Sequence, residues 1–310
     1  MNVPNHPYND YGEFLKRLAG VKVQKISLNA GFTCPNRDGT IGRGGCTYCN
    51  NQTFNPAYCA TSKSITEQLE KGKAFFARKY PAMKYLAYFQ AYTNTYGSLD
   101  KLKQDYEEAL RCPGVVGLVI GTRPDCLPDG LLDYLEELNR RCLLIVEYGI
   151  ESANDDTLRR INRGHTFACA VKAIESTAQR GIRTGGHIIL GLPGESRGEL
   201  LRQAREISRL PLTTLKLHQL QLIKGTQMAA EYRDNPSAFH LFTADEYIDL
   251  AIDYIERLRP GLVLERFVSQ SPPALVIAPK WNMKNYQFTE KVKKRMRERG
   301  TWQGRLAQSG

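Results

Sequence analysis

The residues best suited to inorganic chemistry in this chain are Cys34, Cys46, Cys49 and Cys59, which fall within 26 of its 310 residues. Thiols grouped this tightly in a reducing compartment read as metal ligands or catalysts rather than as disulfides. The other four cysteines, Cys112, Cys126, Cys142 and Cys169, are scattered, and Cys142 opens the apolar run 142–146, so they read as buried thiols. From Cys34 to Cys49 the chain runs Cys-Pro-Asn-Arg-Asp-Gly-Thr-Ile-Gly-Arg-Gly-Gly-Cys-Thr-Tyr-Cys. Gly39, Gly42, Gly44 and Gly45 let this loop wrap an inorganic centre and bring Cys46 and Cys49 back toward Cys34. Spacing alone leaves two chemistries open. One is a zinc knuckle completed by Cys59 or a distant histidine; the other is a [4Fe–4S] cubane with one iron free of protein thiolate.

Such a loop needs a scaffold. Apolar runs rich in Val, Ile, Leu and Tyr at 21–28, 85–91, 115–121, 143–150, 182–190, 214–220 and 262–268 predict strands. Between them, helical spacing recurs at 65–80, 99–110, 131–138, 167–179 and 200–210. Ser64-Ile-Thr-Glu67 and Thr243-Ala-Asp-Glu246 have the form of capping boxes, the second ahead of a helix at 247–258. Alternating strands and helices imply parallel βαβ units, and about six units predict an α/β fold, a partial (β/α)6 TIM-like barrel, with an open doubly wound sheet as the alternative. In a barrel the loops after the strand C-termini converge on one face. Without repeats or low-complexity tracts, the chain reads as one catalytic domain at 1–270 followed by a basic extension at 271–310.

Composition narrows the partners. With 42% hydrophobic residues the chain can bury a full core, yet no run approaches the ~18 apolar residues of a membrane span, and its start is polar; a cytoplasmic protein without a membrane partner is expected. The net charge of +11 points to a polyanion. Residues 280–310 hold nine basic side chains against two acidic ones, and so carry seven of those eleven charges. There Phe288, Val292 and Met296 form a narrow apolar stripe by which a helix can dock while Lys291, Lys293, Lys294, Arg295, Arg297 and Arg299 face outward; Trp281 and Trp302 flank the run and are expected to stack on bases.

The run Lys25-Ile-Ser-Leu-Asn-Ala-Gly-Phe-Thr-Cys-Pro-Asn-Arg-Asp-Gly-Thr40, followed by Gly-Gly-Cys-Thr-Tyr-Cys-Asn50, resembles the YhcC-like group of radical S-adenosylmethionine (SAM) proteins, whose cysteine loop is similar to that of the elongator catalytic subunit. The resemblance continues through Phe89-Gln-Ala-Tyr-Thr-Asn-Thr95, Glu147-Tyr-Gly-Ile-Glu-Ser-Ala153, Arg159-Arg-Ile-Asn-Arg-Gly-His165, His187-Ile-Ile-Leu-Gly-Leu-Pro-Gly-Glu195 and Ala278-Pro-Lys-Trp281. It spans nearly the whole chain. Eleven residues separate Cys34 from Cys46, against the commoner three of the superfamily, and that spacing is what this group looks like.

The resemblance implies that Cys34, Cys46 and Cys49 hold a [4Fe–4S] cluster whose open iron takes the amino and carboxylate groups of SAM, which one electron then cleaves to a 5′-deoxyadenosyl radical. It implies an electron donor such as flavodoxin or ferredoxin. With SAM lying across the strand C-termini, Tyr48 is expected at the adenine and Gln90 near the SAM amino group, where the superfamily more often has Gly-Gly-Glu. Glu147, Glu151 and Ser152 are expected at ribose or carboxylate, and Gly191 where the backbone approaches SAM. The turn Gly191-Leu-Pro-Gly-Glu195 lacks the Gly-Lys-Ser/Thr of a nucleotide triphosphate loop. His187 and His218, on strands, read as hydrogen-bonded core histidines. The resemblance further implies a tRNA substrate, with remodelling of the wobble-uridine side chain from carboxymethylaminomethyl to aminomethyl. Two alternatives stand beside it: a radical enzyme for a small metabolite, and a noncatalytic zinc-bearing RNA-binding protein.

Overall fold

Side chains alternate across a strand, so a sheet that curls must sort its residues into an outer, helix-facing set and an inner one. The computed structural model describes residues 6–54, 56, 58–59, 63–77 and 83–307. Its main sheet has seven parallel strands, β1 (Val23–Leu28), β2 (Lys84–Phe89), β3 (Val115–Thr122), β4 (Leu143–Glu151), β5 (Arg183–Leu190), β6 (Thr214–Gln219) and β8 (Val263–Arg266), hydrogen-bonded in that order. Each falls within one residue of a run expected to be a strand. The sheet curls into a partial TIM-like barrel of α/β class.

Helices cross between the strands: α3 (Ile65–Ala77), α4 (Leu99–Arg111), α5 (Leu131–Asn139), α6 (Asp155–Arg160) with α7 (Phe167–Gln179), α8 (Arg197–Arg209), and α9 (Gln227–Asp234) with α10 (Ala244–Ile255). The expected helix at 65–80 runs past the described residues at its end. Both capping boxes form: Ser64 Oγ accepts from Glu67 N at 3.1 Å while Ser64 N donates to Glu67 Oε2 at 2.9 Å, and Thr243 and Glu246 do the same ahead of α10. The outward strand residues Ala87, Leu118, Leu144, Ile188 and Leu217 pack against Leu69, Leu102, Leu135, Ile174 and Ile207 of the helices, all buried.

The inner set is divided by height. At the end where the strands begin, Leu86, Tyr88, Val119, Ile145 and Val263 form a second apolar cluster with Tyr11 and Leu15 of α1 (Tyr11–Ala19), a helix absent from the expected set. This helix plugs the bottom of the barrel. Its entry is fixed along β8, where Leu264 N donates to Asn9 O at 2.8 Å. Above the plug the inward positions turn charged: Lys25, Glu147, Lys216 and Glu265.

The chain after residue 270 returns to the barrel. Strand β9 (Val276–Ala278) pairs antiparallel with the two-residue β7 (Leu222–Ile223). The helix α11 (Asn285–Glu298) buries Phe288, Val292 and Met296 completely, as the apolar stripe predicts, and packs on α10. Gln303 joins the two ends, accepting from Asn9 N at 2.9 Å and donating from Nε2 to Leu262 O at 2.7 Å. Base stacking by Trp281 is not what this packing offers: its ring stacks on Phe288 with centroids 5.8 Å apart, and its Nε1 donates to Phe242 O, so the residue closes the core. Trp302 is half-buried beside Tyr8 and Pro260. No helix among the described residues is long and apolar enough to cross a membrane.

Candidate functional site

The cysteine loop leaves β1 at the C-terminal edge of the sheet. Cys34 stands at the start of the short α2 (Pro35–Asp38). From there two devices fold the loop back. Gly45 has a φ of +81°, a conformation that side chains resist, and its N donates to Asn36 O at 2.8 Å. At Gly42 a Cβ would lie 2.4 Å from Asn36 Oδ1, so the backbone passes where no side chain fits. Thr47 then pins the loop from both sides, its N donating to Ile161 O and its carbonyl accepting from Met228 N at 2.8 Å. Cys34, Cys46 and Cys49 are thereby brought to the wall of one cavity of about 570 Å³, within the usual range for a cofactor site.

The same cavity is lined by Tyr48, Gln90, Glu147 and Glu151, and by His187 and His218. Gln90 is held by Ser27, whose hydroxyl donates to its Oε1 at 2.9 Å. Glu151 sits at φ +70°, where the pairing of β4 with β5 slips. Its carboxylate lies 3.6 Å from Arg163 Nη2. Two expected residues do not reach the cavity. Ser152 is fully buried, its hydroxyl donating to Glu195 at 2.5 Å, so it anchors the turn after β4 to the Gly191–Glu195 turn. Gly191, at φ +93°, is overlain by Phe242, and its conformation serves that close packing.

Glu147 points into the cavity floor, but its carboxylate is already engaged. Oε1 accepts from Lys25 Nζ at 2.8 Å, while Oε2 accepts from Lys216 Nζ at 2.5 Å and lies 3.0 Å from His187 Nε2. Burial would raise this carboxyl, but Lys216, Lys25 and His187 hold it well below the usual carboxylate range. Glu265 completes the layer, 2.7 Å from Lys25 and 3.2 Å from Lys216. The two ammonium groups rest on the faces of Tyr11 and Tyr88. Two cations balance two anions, which is how a charged layer survives burial. Glu147 is therefore a structural ion rather than a free ribose acceptor. Above it, His187 and His218 lie with ring centroids 5.5 Å apart, and burial together with the nearby cations keeps both below the usual histidine value.

Arginines form the other wall. Arg37 Nη2 donates to Cys49 O at 2.8 Å, Arg123 is held by Asp125 through two bonds, and Arg163 Nη1 points at Cys46 Sγ from 3.7 Å. Asn36 Nδ2 aims at the same sulfur from 3.8 Å. Burial pushes the Cys49 thiol up to about 11, with Cys46 adding to the rise and Arg37 opposing it. Two buried donors, Arg123 Nη1 and Arg163 Nε, have no acceptor among the described residues. Three thiols on one wall, N–H groups aimed at their sulfurs, and buried cationic donors without acceptors among the described residues suit a net anionic iron–sulfur cluster. Cys59 does not share the cavity; its thiol donates to Ser27 O at 2.8 Å, which removes the proposed fourth ligand of a zinc knuckle. Among the described residues no three His, Cys, Asp or Glu side chains converge on a point for a single ion, whereas a cubane takes each cysteine at a different iron.

Sequence reasoning gives the arginines no role, although Arg37 and Arg163 stand inside the quoted motifs, and does not anticipate Glu147 as part of a charged floor. The floor has a readable signal all the same: Lys25, Glu147, Lys216 and Glu265 interrupt apolar strand runs, and all four face inward.

Comparison with known proteins agrees with this geometry. Residues 34–207 match the family model of the radical SAM superfamily, and residues 212–298 that of the radical SAM C-terminal domain. Protein YhcC of Escherichia coli is 39% identical over 274 residues, 88% of this chain and 87% of that one, in keeping with the cysteine-loop resemblance. The tRNA uridine(34) acetyltransferase of Methanocaldococcus infernus is 26% identical over 207 residues, which is 66% of this chain but 37% of that protein. The solved structure of Methanocaldococcus infernus Elp3, lacking its N-terminus, superposes with a TM-score of 0.65 at 17% identity over 91% of this chain and 64% of that one, a likeness of fold.

Proposed function

Because this chain belongs to the radical SAM superfamily, with a [4Fe–4S] cluster and SAM as its cofactors, we propose that it is a tRNA-modifying enzyme acting on the side chain of the wobble uridine. When bound, those cofactors supply a 5′-deoxyadenosyl radical after one-electron reduction by a donor such as flavodoxin or ferredoxin. The chain's own residues do the rest. Cys34, Cys46 and Cys49 ligate the cluster; Tyr48, Gln90 and Glu151, which share its cavity, bind and orient SAM. The floor of Glu147, Lys216 and His187 gives the reacting side chain a rigid polar seat that excludes bulk water from beneath.

The observation that carries the reading is the union, in one cavity, of the three-cysteine loop with a polar wall of Gln219, Gln221, Ser269 and Ser271, suited to a nucleobase rather than to an apolar metabolite. Support for tRNA comes from the relative that acts on tRNA uridine 34 and from the basic C-terminal helix. We further propose conversion of a carboxymethylaminomethyl side chain to aminomethyl: two electrons pass from the N–CH2 of the carboxymethyl group to SAM, which is cleaved to methionine and 5′-deoxyadenosine, and water then releases the two carbons of that group as glyoxylate. The test is comparison of modified nucleosides in total tRNA from cells with and without the gene, followed by anaerobic reaction of the purified holoenzyme with tRNA from the deficient cells. A wobble-uridine nucleoside that changes only with the gene supports the proposal; identical nucleoside profiles sink it and favour the small-metabolite alternative.

A further inference from the structure

Arg163 touches both sides of the cavity chemistry. It is 6% exposed, so its charge is shielded from solvent. Its Nη1 lies 3.7 Å from Cys46 Sγ, its Nη2 donates to Gly149 O at 2.5 Å, and the same Nη2 is 3.6 Å from the Glu151 carboxylate. The approach is built in: a Cβ at Gly149 would meet Arg163 Nη2 and Glu151 Oε1, each at 2.6 Å. Asn36 Nδ2, 3.8 Å away, is a second donor to the same sulfur and is itself anchored on Asn162 O. Cys46 Sγ thus receives two side-chain N–H groups, from Arg163 and Asn36, whereas the Cys49 thiol has Arg37 alone among the described residues.

We propose that Arg163 is a positioning residue that sets the reduction potential of the cluster through the Cys46 sulfur, and that Glu151 modulates this by competing for the same guanidinium. Reduction takes one electron from a low-potential donor, which is oxidised by one electron, and adds negative charge that spreads onto the thiolate sulfurs. A buried N–H donor at a ligating sulfur stabilises that added charge and raises the potential. Glu151 draws the guanidinium the other way. A cofactor or substrate group that engages Glu151 therefore frees Arg163 toward the sulfur, so occupancy of the cavity makes the cluster easier to reduce. This favours reduction when SAM is present, when the electron can be used.

The test is an EPR-monitored potentiometric titration of anaerobically purified holoenzyme, with iron and sulfide assayed for each protein. In R163Q the ratio of reduced to oxidised cluster at a fixed potential falls about tenfold, equivalent to ~59 mV for a one-electron couple. R163K, which keeps the charge without the planar fork, falls between R163Q and the native protein. E151Q moves the midpoint upward, and the double variant R163Q/E151Q matches R163Q alone, because Glu151 acts through Arg163. A native midpoint in R163Q with full iron content overturns the proposal. An upward shift by E151Q that persists undiminished in the double variant overturns the coupling. Should R163Q fail to retain iron, R163K and Asn36→Ala report on the same sulfur, and unchanged midpoints in both overturn it.

Discussion

Lys216 Nζ lies 2.5 Å from Glu147 Oε2, and both side chains are buried in the interior of the sheet. The pair separates an apolar plug below from a polar cavity above. Because Glu147 also holds Lys25, Glu147→Gln leaves two buried ammonium groups sharing only Glu265, and the loss should be on the order of 3–5 kcal/mol, the usual result of stripping one partner from a buried ion pair. Urea denaturation measures it. Lys216→Met combined with Glu147→Gln should recover part of the loss, since the charge imbalance shrinks; a double variant no more stable than Glu147→Gln would show that the layer is not held by charge balance.

Acidity should reach the same region through His218. Burial and its neighbours His187, Arg266 and Lys216 hold this ring well below its usual value, so it is neutral in the folded state. Between that folded value and about 6.5 the unfolded chain binds a proton that the folded chain refuses, and stability therefore falls as the pH drops below about 6.5. A single such group contributes a slope of at most about 1.4 kcal/mol per pH unit. His218→Gln should flatten the stability profile below about pH 6.5, read by denaturation at a series of pH values; an unchanged slope would place the acid sensitivity elsewhere.

The barrel is legible in the sequence because its strands are apolar runs of ordinary length, and because turn and cap residues mark the helices between them. The plug α1 carries a signal of its own, Tyr11, Phe14, Leu15 and Leu18 at helical spacing between the caps Asp10 and Gly20, but it precedes the first strand and so lies outside the alternation of strands and helices. At the site, the cysteines are legible from the glycine-laced loop. Glu147 reads by type as a ribose acceptor, and its engagement by Lys25 and Lys216, 122 residues before it and 69 after it in sequence, is a tertiary fact that no local pattern carries. Ser152 is misplaced by adjacency: it directly follows Glu151, but the chain turns between them, sending one side chain to the cavity and the other into the core.

The cysteines make distinct predictions. Serine at Cys34, Cys46 or Cys49 should remove the cluster, measured as iron and sulfide falling from about four each per chain. Cys59→Ser should keep full iron, since that thiol only donates to Ser27 O. Stoichiometric zinc in place of iron in the anaerobically prepared protein would contradict the cofactor assignment.

Glu151 and Ser152 should now part company in SAM binding. Glu151→Gln is expected to weaken SAM affinity by roughly 1–3 kcal/mol, the range for a charge-assisted hydrogen bond, with iron content intact. Ser152→Ala should leave affinity near native and instead cost stability, because it removes the hydroxyl that donates to Glu195 in a buried turn and leaves that carboxylate only Gln203 Nε2 as a donor on Oε1. Equal loss of SAM affinity in both variants would mean that the turn moves as one unit and that Glu151 does not touch SAM specifically.

The basic helix α11 divides its charges between two tasks. Arg295 lies 2.5 Å from Asp249, and Arg299 reaches Asp249 at 2.8 Å and Asp253 at 2.9 Å, so these two arginines fasten α11 to α10. Lys291 and Arg297 are exposed and have no ion-pair or hydrogen-bond partner among the described residues, and Lys294 is exposed with Glu298 3.7 Å away. Three and six residues apart on a helix, these three share a face turned to solvent. Deleting the chain from Lys291 onward is a poor test of RNA binding, because it also removes Val292 and Met296 from the core, each worth about 1.5–3 kcal/mol on full burial. Charge reversal at Lys291 and Arg297 is cleaner. It should weaken tRNA binding and flatten the log–log salt dependence by roughly 0.7–0.9 for each phosphate no longer neutralised, while SAM cleavage without substrate stays native. Arg295→Gln should leave the salt slope unchanged and lower only stability. If the reversed variant binds tRNA with native affinity and slope, α11 is structural alone, and the RNA-binding surface must be sought around the mouth of the cavity.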